Sequence, residues 1–237
     1  MPPVLVMLLL TTIAGLAMPA GALLAQLERV RPRWLEQELR HSIIAFGGGV
    51  LLAAVALVLV PEGIGTMAWP WAAGLFLAGG VLFMLLDRAL AATKGSVSQL
   101  VAMLADFVPE AVALGAAFAS GESAGVLLAL LITLQNVPEG FNAYRELRVS
   151  TRMGGRRIVL AFAALAALGP ASGLAGYFLL AGSPTIVGGI MLVAASGILY
   201  LTFGDIAPQA KLANRHAPAL GAVCGFLVGL IGHMLIR

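Results

Sequence analysis

The sequence predicts an all-α polytopic membrane protein with eight transmembrane helices in one domain, residues 1–237. Hydrophobic residues make up 60% of the chain and charged residues only 11%, against about 25% charged residues in soluble domains. The mean hydropathy is +1.00, and apolar stretches of the ~20 residues that cross a bilayer recur along the chain. The expected spans are 3–24, 42–60, 68–90, 98–119, 124–145, 157–181, 184–206 and 217–236.

The positions of the basic residues test this span count independently. Of the 14 Lys and Arg residues, all except the C-terminal Arg237 lie in or beside the first, third, fifth and seventh loops. Because cytoplasmic loops collect positive charge, we expect these loops in the cytoplasm and both termini outside. The sequence pI of about 9.5 then reflects loop arginines and gives no reason to expect a nucleic-acid partner. The expected location is a bacterial cytoplasmic (inner) membrane, with the lipid bilayer as partner.

The first two spans read as ordinary membrane helices. The chain begins Met1-Pro2-Pro3 and so lacks the positive segment of a signal peptide. In the second span, glycines 47–49 are not followed by the lysine of a phosphate-binding loop, and we expect them to pack helices closely. Glu62 follows this span and is a candidate to guide cations on the outer side; a solvated helix-end acid is the alternative.

Polar residues occur in the middle of the fourth and fifth spans. Asp106 and Glu110 lie four residues apart in one span, as do Gln135 and Glu139 in the other, so each pair shares a helix face. Because the two spans run antiparallel, Glu110 is expected level with Gln135, and Asp106 level with Glu139. The four side chains are therefore expected to converge on one point.

The charge of this cluster needs a compensating cation. An ionised side chain at the centre of a bilayer costs about 3 kcal/mol or more, and no Lys or Arg occurs between positions 95 and 144. A metal ion is the simplest source of positive charge. The alternative is a set of protonated carboxylic acids that hydrogen-bond between helices.

A proline precedes each glutamate of the cluster. Pro109 and Pro138 each remove a helical hydrogen bond and release the carbonyls of Ala105 and Leu134. Irregular backbone at membrane depth is tolerated where it is buried or lines a wet cavity. We therefore expect two kinked helices beside a cavity that is lined by oxygen ligands.

Further polar and glycine positions are less specific. Asn136 is a fifth candidate ligand, although it points about 100° away from Gln135. Asn142 and Asp205 are candidates for a cation path towards the cytoplasm.

The last span repeats small residues at four-residue spacing, a helix-packing pattern. This pattern leaves packing within the chain and contact in a homodimer equally open. The repeated glycines are Gly221, Gly225 and Gly229.

These motifs resemble those of the ZIP (Zrt-/Irt-like protein) family of divalent metal transporters. In that family the fourth span carries His-Asn-x-Pro-Glu-Gly, and residues 106–111 here read Asp-Phe-Val-Pro-Glu-Ala. The fifth span of the family carries His or Gln, Asn or Asp, x, Pro, Glu, Gly, which residues 135–140 match throughout. Residues 51–63 and 200–210 resemble its second and seventh spans. Eight spans with both termini outside is also the family topology.

Three departures from the family pattern affect how many metal ions, and which metal, the site is expected to bind. Asp106 replaces a histidine, Phe107 an asparagine, and Gly169 the glutamate of the sixth span's Glu-Pro. The resemblance therefore implies one bound ion, held by Asp106, Glu110 and two fifth-span residues, where some members bind two. All remaining donors are oxygen atoms, which shifts preference from zinc towards manganese or iron(II).

The expected function is transport of a divalent metal cation into the cytoplasm by alternating access. Zinc is the first candidate substrate, followed by manganese and iron(II), and no prosthetic group is expected. As in the family, spans one, four, five and six would move against spans two, three, seven and eight, within a homodimer. Two alternatives stay open: a metal-binding membrane protein that does not transport, and a membrane metalloenzyme. The second lacks a His-Glu-x-x-His motif, and we do not expect an enzyme.

Overall fold

A computed structural model describes residues 1–28, 33–92, 98–120, 124–180, 182–212 and 216–236. Within these ranges the chain forms eight consecutive helical segments and no β-strand. Part of the basic pattern used above lies outside the described residues, namely Arg29, Arg31, Lys94, Arg215 and Arg237.

The eight segments are numbered helix 1 to helix 8, and three of them contain a π-helical turn. Their bounds are Pro3–Leu27 (helix 1), Arg33–Ala54 with Val55–Leu59 and Val60–Ile64 (helix 2), Trp69–Ala92 (helix 3), Ser98–Ser120 (helix 4), Ala124–Ser150 (helix 5), Gly155–Leu165 with Leu168–Ala175 and Gly176–Leu180 (helix 6), Pro184–Leu201 with Thr202–Ile206 and Ala207–Ala210 (helix 7), and Ala217–Ile236 (helix 8). The π-helical turns are Val55–Leu59, Gly176–Leu180 and Thr202–Ile206.

Seven of these segments are long and apolar enough to cross a membrane, and the protein has the character of an integral membrane protein. Helix 4 is not among the seven found in the described part of the chain. It carries Asp106 and Glu110 at mid-length, and it packs against helices 1, 5, 6 and 7. Because neighbouring helices cover it on several sides, its polar residues face protein rather than lipid.

Helices 2 and 5 extend beyond their expected spans at the ends that carry basic residues. Helix 2 begins at Arg33 and not at position 42, and helix 5 continues to Ser150. Arg145 of helix 5 pairs there with Glu28 beyond helix 1 (2.6 Å) and with Glu36 of helix 2. A hydropathy pattern marks only the part of a helix inside hydrocarbon, so it misses turns that project into water.

The helices pack as two sets. Helices 1, 4, 5 and 6 contact one another, whereas in the second set helix 2 contacts helices 3, 7 and 8, and helix 3 packs on helix 7. The sets meet mainly where helix 2 lies against helix 5 and where helix 4 lies against helix 7. The boundary between the sets therefore runs beside the middle of helices 4 and 5, where the polar cluster lies.

Glycines 47–49 pack helix 2 against three neighbours, as predicted. A Cβ atom at any of the three positions would overlap an atom of the facing helix. The contacts are made, in chain order, with Pro138 of helix 5, Ile206 of helix 7 and Ala222 of helix 8. Helix 2 is thus the element that holds both sets together beside the cluster.

The glycine repeat of helix 8 packs within the chain. Gly221 faces the carbonyl of Ser42, and Gly225 faces the carbonyl of Phe46, both on helix 2. Gly229 approaches Ala53 of the same helix. Of the two uses left open by the sequence, the structure therefore assigns this stripe to packing of helix 8 on helix 2, and the stripe is not free for a dimer contact.

Substitution of Gly225 by Ala should destabilise the fold. The new Cβ would overlap the backbone carbonyl of Phe46, which cannot move without displacing helix 2, and overpacking of this kind costs about 1–3 kcal/mol. Gly74→Ala is the matched control, since no atom lies within 4 Å of its Cβ position. Thermal unfolding in detergent should show a lower Tm for Gly225→Ala alone. Equal Tm values for the two variants would contradict this packing.

Candidate metal site

Helices 4 and 5 bring two acid-containing pairs of side chains into the protein interior. Asp106 is 3% exposed and Glu139 9% exposed, while Glu110 and Gln135 are completely buried. Pro109 and Pro138 lie within helices 4 and 5, which continue past them. Thus the helical spacing that puts each pair on one face persists through both prolines.

A hydrogen bond joins the two helices at one level of the site. The side-chain amide of Gln135 donates from Nε2 to Oε2 of Glu110 at 2.7 Å. Glu110 is therefore level with Gln135, as the antiparallel arrangement predicts. This contact neutralises no charge, because a neutral amide gives Glu110 a hydrogen bond but no positive charge.

The other two acids line a small cavity at the boundary between the helix sets. Asp106 and Glu139 border a space of about 40 Å³ that is also lined by Asn142 and Asp205. A single buried water molecule needs only about 10–15 Å³ of such space. The cavity therefore has room for one ion or for a few water molecules.

The four side chains form two pairs rather than one point of convergence. Glu110 bonds to Gln135, whereas Asp106 and Glu139 border the cavity. Among the described residues, no group of three or more His, Cys, Asp or Glu side chains is placed to hold a metal ion. The expected convergence is thus incomplete, because helical spacing fixes the face of a residue but leaves its side-chain rotamer free.

Each of the four side chains has one buried oxygen atom with no hydrogen-bond partner in the structure. These atoms are Oδ1 of Asp106, Oε1 of Glu110, Oε1 of Gln135 and Oε2 of Glu139. A buried, unpaired polar atom costs about 1–3 kcal/mol, and more when it is charged. All four are carboxylate or amide oxygens, the donor type that hard divalent cations take.

No basic side chain in the described ranges pairs with the three acids. The ion pairs of Arg145 with Glu28 and Glu36 lie at the helix ends. The ionised cluster consequently lacks a protein counter-charge among the described residues.

Asn136 faces away from the cluster. Its Nδ2 donates a hydrogen bond of 2.8 Å to the carbonyl of Ala14 in helix 1. The direction follows from the turn of about 100° between Gln135 and Asn136. Asn136 therefore ties helix 5 to helix 1 and, in this conformation, does not complete a site with the acids.

Phe107 and Gly169 fit one another. Phe107 is 1% exposed, and a Cβ atom at Gly169 would lie 2.9 Å from Cζ of Phe107 and 2.6 Å from the carbonyl oxygen of Thr11. The ring thus occupies the space that a side chain at position 169 would need. The residues at positions 107 and 169 are therefore sterically coupled.

The three candidate path residues lie at different places. Asp205, in the π-helical turn of helix 7, lines the same cavity as Asp106. Asn142 lines this cavity and also a larger one of about 690 Å³, and it donates to Gln209 at 2.9 Å. Glu62 is half-buried beside a separate cavity of about 30 Å³. Of these three residues, only Glu62 does not line the cavity beside Asp106 and Glu139.

Gln209 is the polar residue here that sequence reasoning missed. It lies near the end of helix 7, where an amide is ordinarily solvated. Its position four residues after Asp205 was the available signal, because i and i+4 residues share a helix face. Asn142 lines both the small cavity and the larger one, and Gln209 lines the larger one.

Neither the protein-family models nor the curated proteins contain a match to this chain.

The fit between Phe107 and Gly169 predicts a non-additive pair of substitutions. Gly169→Ala should destabilise the protein by about 1–3 kcal/mol through overpacking, and Phe107→Ala should destabilise it by about 3–5 kcal/mol through the cavity it leaves. In the double variant part of the overpacking is relieved, although the contact with Thr11 remains. A double-mutant cycle measured by denaturant unfolding should give a coupling of about 0.5 kcal/mol or more. Strict additivity would mean that the ring does not restrict position 169.

Proposed function

We propose that this protein is a ZIP-like transporter that moves a divalent metal cation into the cytoplasm. The observation that carries the proposal is the set of four buried, unpartnered oxygens on two facing helices, without a described basic partner. A cation bound among them would supply both the missing charge and the missing partners. Zinc is the first candidate substrate, with manganese and iron(II) next because every donor is an oxygen atom.

Binding an ion at this cluster requires a local rearrangement. Rotation of the terminal amide of Gln135 exchanges Nε2 for Oε1, which breaks the bond to Glu110 and turns an acceptor towards the ion. New side-chain rotamers at Asp106 and Glu139 would bring their carboxylates towards Glu110. Ion entry would thus draw the two pairs together into one oxygen site.

The proposed topology has eight spans with both termini outside. Helix 4 counts as the eighth span because it lies within the bundle, where Asp106 and Glu110 avoid lipid. The orientation rests on the basic loops, which collect on the cytoplasmic side. A bacterial cytoplasmic membrane is the proposed location.

Alternating access would use the boundary between the two helix sets. Asp106 and Glu139 border the cavity from helices 4 and 5, while Ile198 and Asp205 border it from helix 7. Sliding of helices 1, 4, 5 and 6 along the other set would carry the acids towards one side or the other of the membrane. Asp205, Asn142 and Gln209 would then line the exit, and Glu62 the opposite side.

A metal-binding protein that does not transport is the second candidate. The tight fit of Phe107 on Gly169 favours it, because these two positions carry possible metal ligands in ZIP transporters. Uptake of radioactive zinc or manganese into proteoliposomes decides between the two. Binding without uptake would support the second candidate and overturn the first.

Removal of either buried glutamate should abolish uptake. Glu110→Ala and Glu139→Ala each delete a charged donor, so metal affinity should fall by more than the ~10–100-fold typical of residues that only support a ligand. Asp106→Ala should act less severely, because a neutral histidine stands there in the family pattern. Glu38→Ala, outside the cavity, is the control. The measurements are equilibrium binding and proteoliposome uptake, with gel filtration to verify folding. Near-normal uptake by both glutamate variants at low metal concentration would remove the assignment.

Asp106→His should change selectivity. The substitution replaces a hard oxygen by a borderline nitrogen, so zinc should gain relative to manganese. The loss of one negative charge weakens all divalent ions together, so the ratio of the two metals is the informative quantity. Competition between zinc and manganese for uptake would be compared in wild type and variant. An unchanged ratio would show that Asp106 does not contact the ion, leaving Glu110, Gln135 and Glu139 as ligands.

A further inference from the structure

A groove opens on the outer surface of the bundle between helices 2, 7 and 8. Its volume is about 390 Å³, and apart from Thr202 and Lys211 its lining residues are apolar. Phe203 and Ala219, on its two sides, are exposed. In a membrane these side chains face hydrocarbon, so the groove is open to the acyl chains of lipids and closed to bulk water.

Positive charge marks one end of this groove. Lys211 lines it and is exposed, and it forms no ion pair with any residue in the described ranges. His216, also exposed, immediately precedes helix 8 on the same side. The arginine-rich loops assign this end to the cytoplasm, where anionic lipid headgroups attract basic side chains.

The groove and the cavity beside Asp106 share a wall. Gly48 of helix 2 and Ile206 of helix 7 line both spaces. A Cβ atom at Gly48 would lie 2.9 Å from Cγ2 of Ile206, so the two helices are in close contact there. Ile206 also follows Asp205 directly. A molecule that fills the groove would contact Ile206, which lies next to Asp205 in the π-helical turn.

We propose that this groove binds an anionic phospholipid of the cytoplasmic leaflet. One acyl chain lies along the apolar wall, and the phosphate sits at Lys211. The lipid acts as a packing element behind the inner cavity and supports the π-helical turn of helix 7. This proposal rests on the proposed orientation of the chain in the membrane, and it does not depend on metal transport.

Native mass spectrometry of the full chain tests the proposal by titration with phosphatidylglycerol and, separately, with phosphatidylcholine. Wild type should bind the first phosphatidylglycerol more tightly than the first phosphatidylcholine. Lys211→Ala should lower this preference about fivefold, the factor expected for one basic side chain near an anionic lipid. Lys211→Arg should retain it.

A second variant tests the groove itself. Ala219→Trp fills the exposed side of the groove and should remove the tight binding event for both lipids. Leu220→Trp is the matched control, because Leu220 is 64% exposed but does not line the groove. Equal affinities of wild type for the two lipids would overturn the headgroup assignment. Unchanged binding to Ala219→Trp would overturn the location. Both readouts are independent of uptake, so loss of the proposed transport function would leave them intact.

Discussion

The burial of Asp106, Glu110 and Glu139 without a basic partner is the constraint around which this fold is arranged. Each ionised carboxylate inside a low-dielectric bundle carries a desolvation cost of several kcal/mol, which a nearby opposite charge would offset. Gln135 offers one hydrogen bond but no charge. The protein thus presents a set of oxygens whose requirements a divalent cation would meet, and it places that set at the boundary between two groups of helices.

The surrounding helices keep this region compact. Glycines 47–49 allow helix 2 to pack closely on Pro138 of helix 5, Ile206 of helix 7 and the backbone of helix 8 at Ala222. A cavity of only about 40 Å³ remains beside the acids. Phe107 fills the space towards helix 6 because position 169 is glycine. Where the packing leaves so little free volume, a small cation fits and a large organic ligand does not.

Much of this arrangement follows from hydropathy and helical spacing. The all-helical class, the eight segments and the burial of both polar pairs were predictable, because a bilayer requires long apolar helices and i, i+4 residues share a face. The extension of helix 2 to Arg33 was missed, since polar turns outside hydrocarbon leave no hydropathy signal. The π-helical turn at Thr202–Ile206 was also missed, because one extra residue in a turn is invisible in composition.

Other features depend on three-dimensional partners. Gly221 and Gly225 were recognisable in the sequence as candidate packing positions, but the element that they contact was not. The structure shows that they pack against helix 2. Likewise, spacing placed the four candidate ligands on facing surfaces, yet their rotamers divide them into two pairs. Rotamers respond to every neighbour, including residues far away in the chain such as Gln209 beside Asn142.

The most direct test of the central claim is to locate a bound cation. Crystals of the protein grown with cadmium or manganese would be measured near the absorption edge of the metal, and an anomalous difference map calculated. The account predicts one peak in bonding contact with oxygens of Asp106, Glu110, Gln135 and Glu139, with the Gln135–Glu110 hydrogen bond broken. A well-ordered cluster without a peak, in crystals that contain saturating metal, would contradict it.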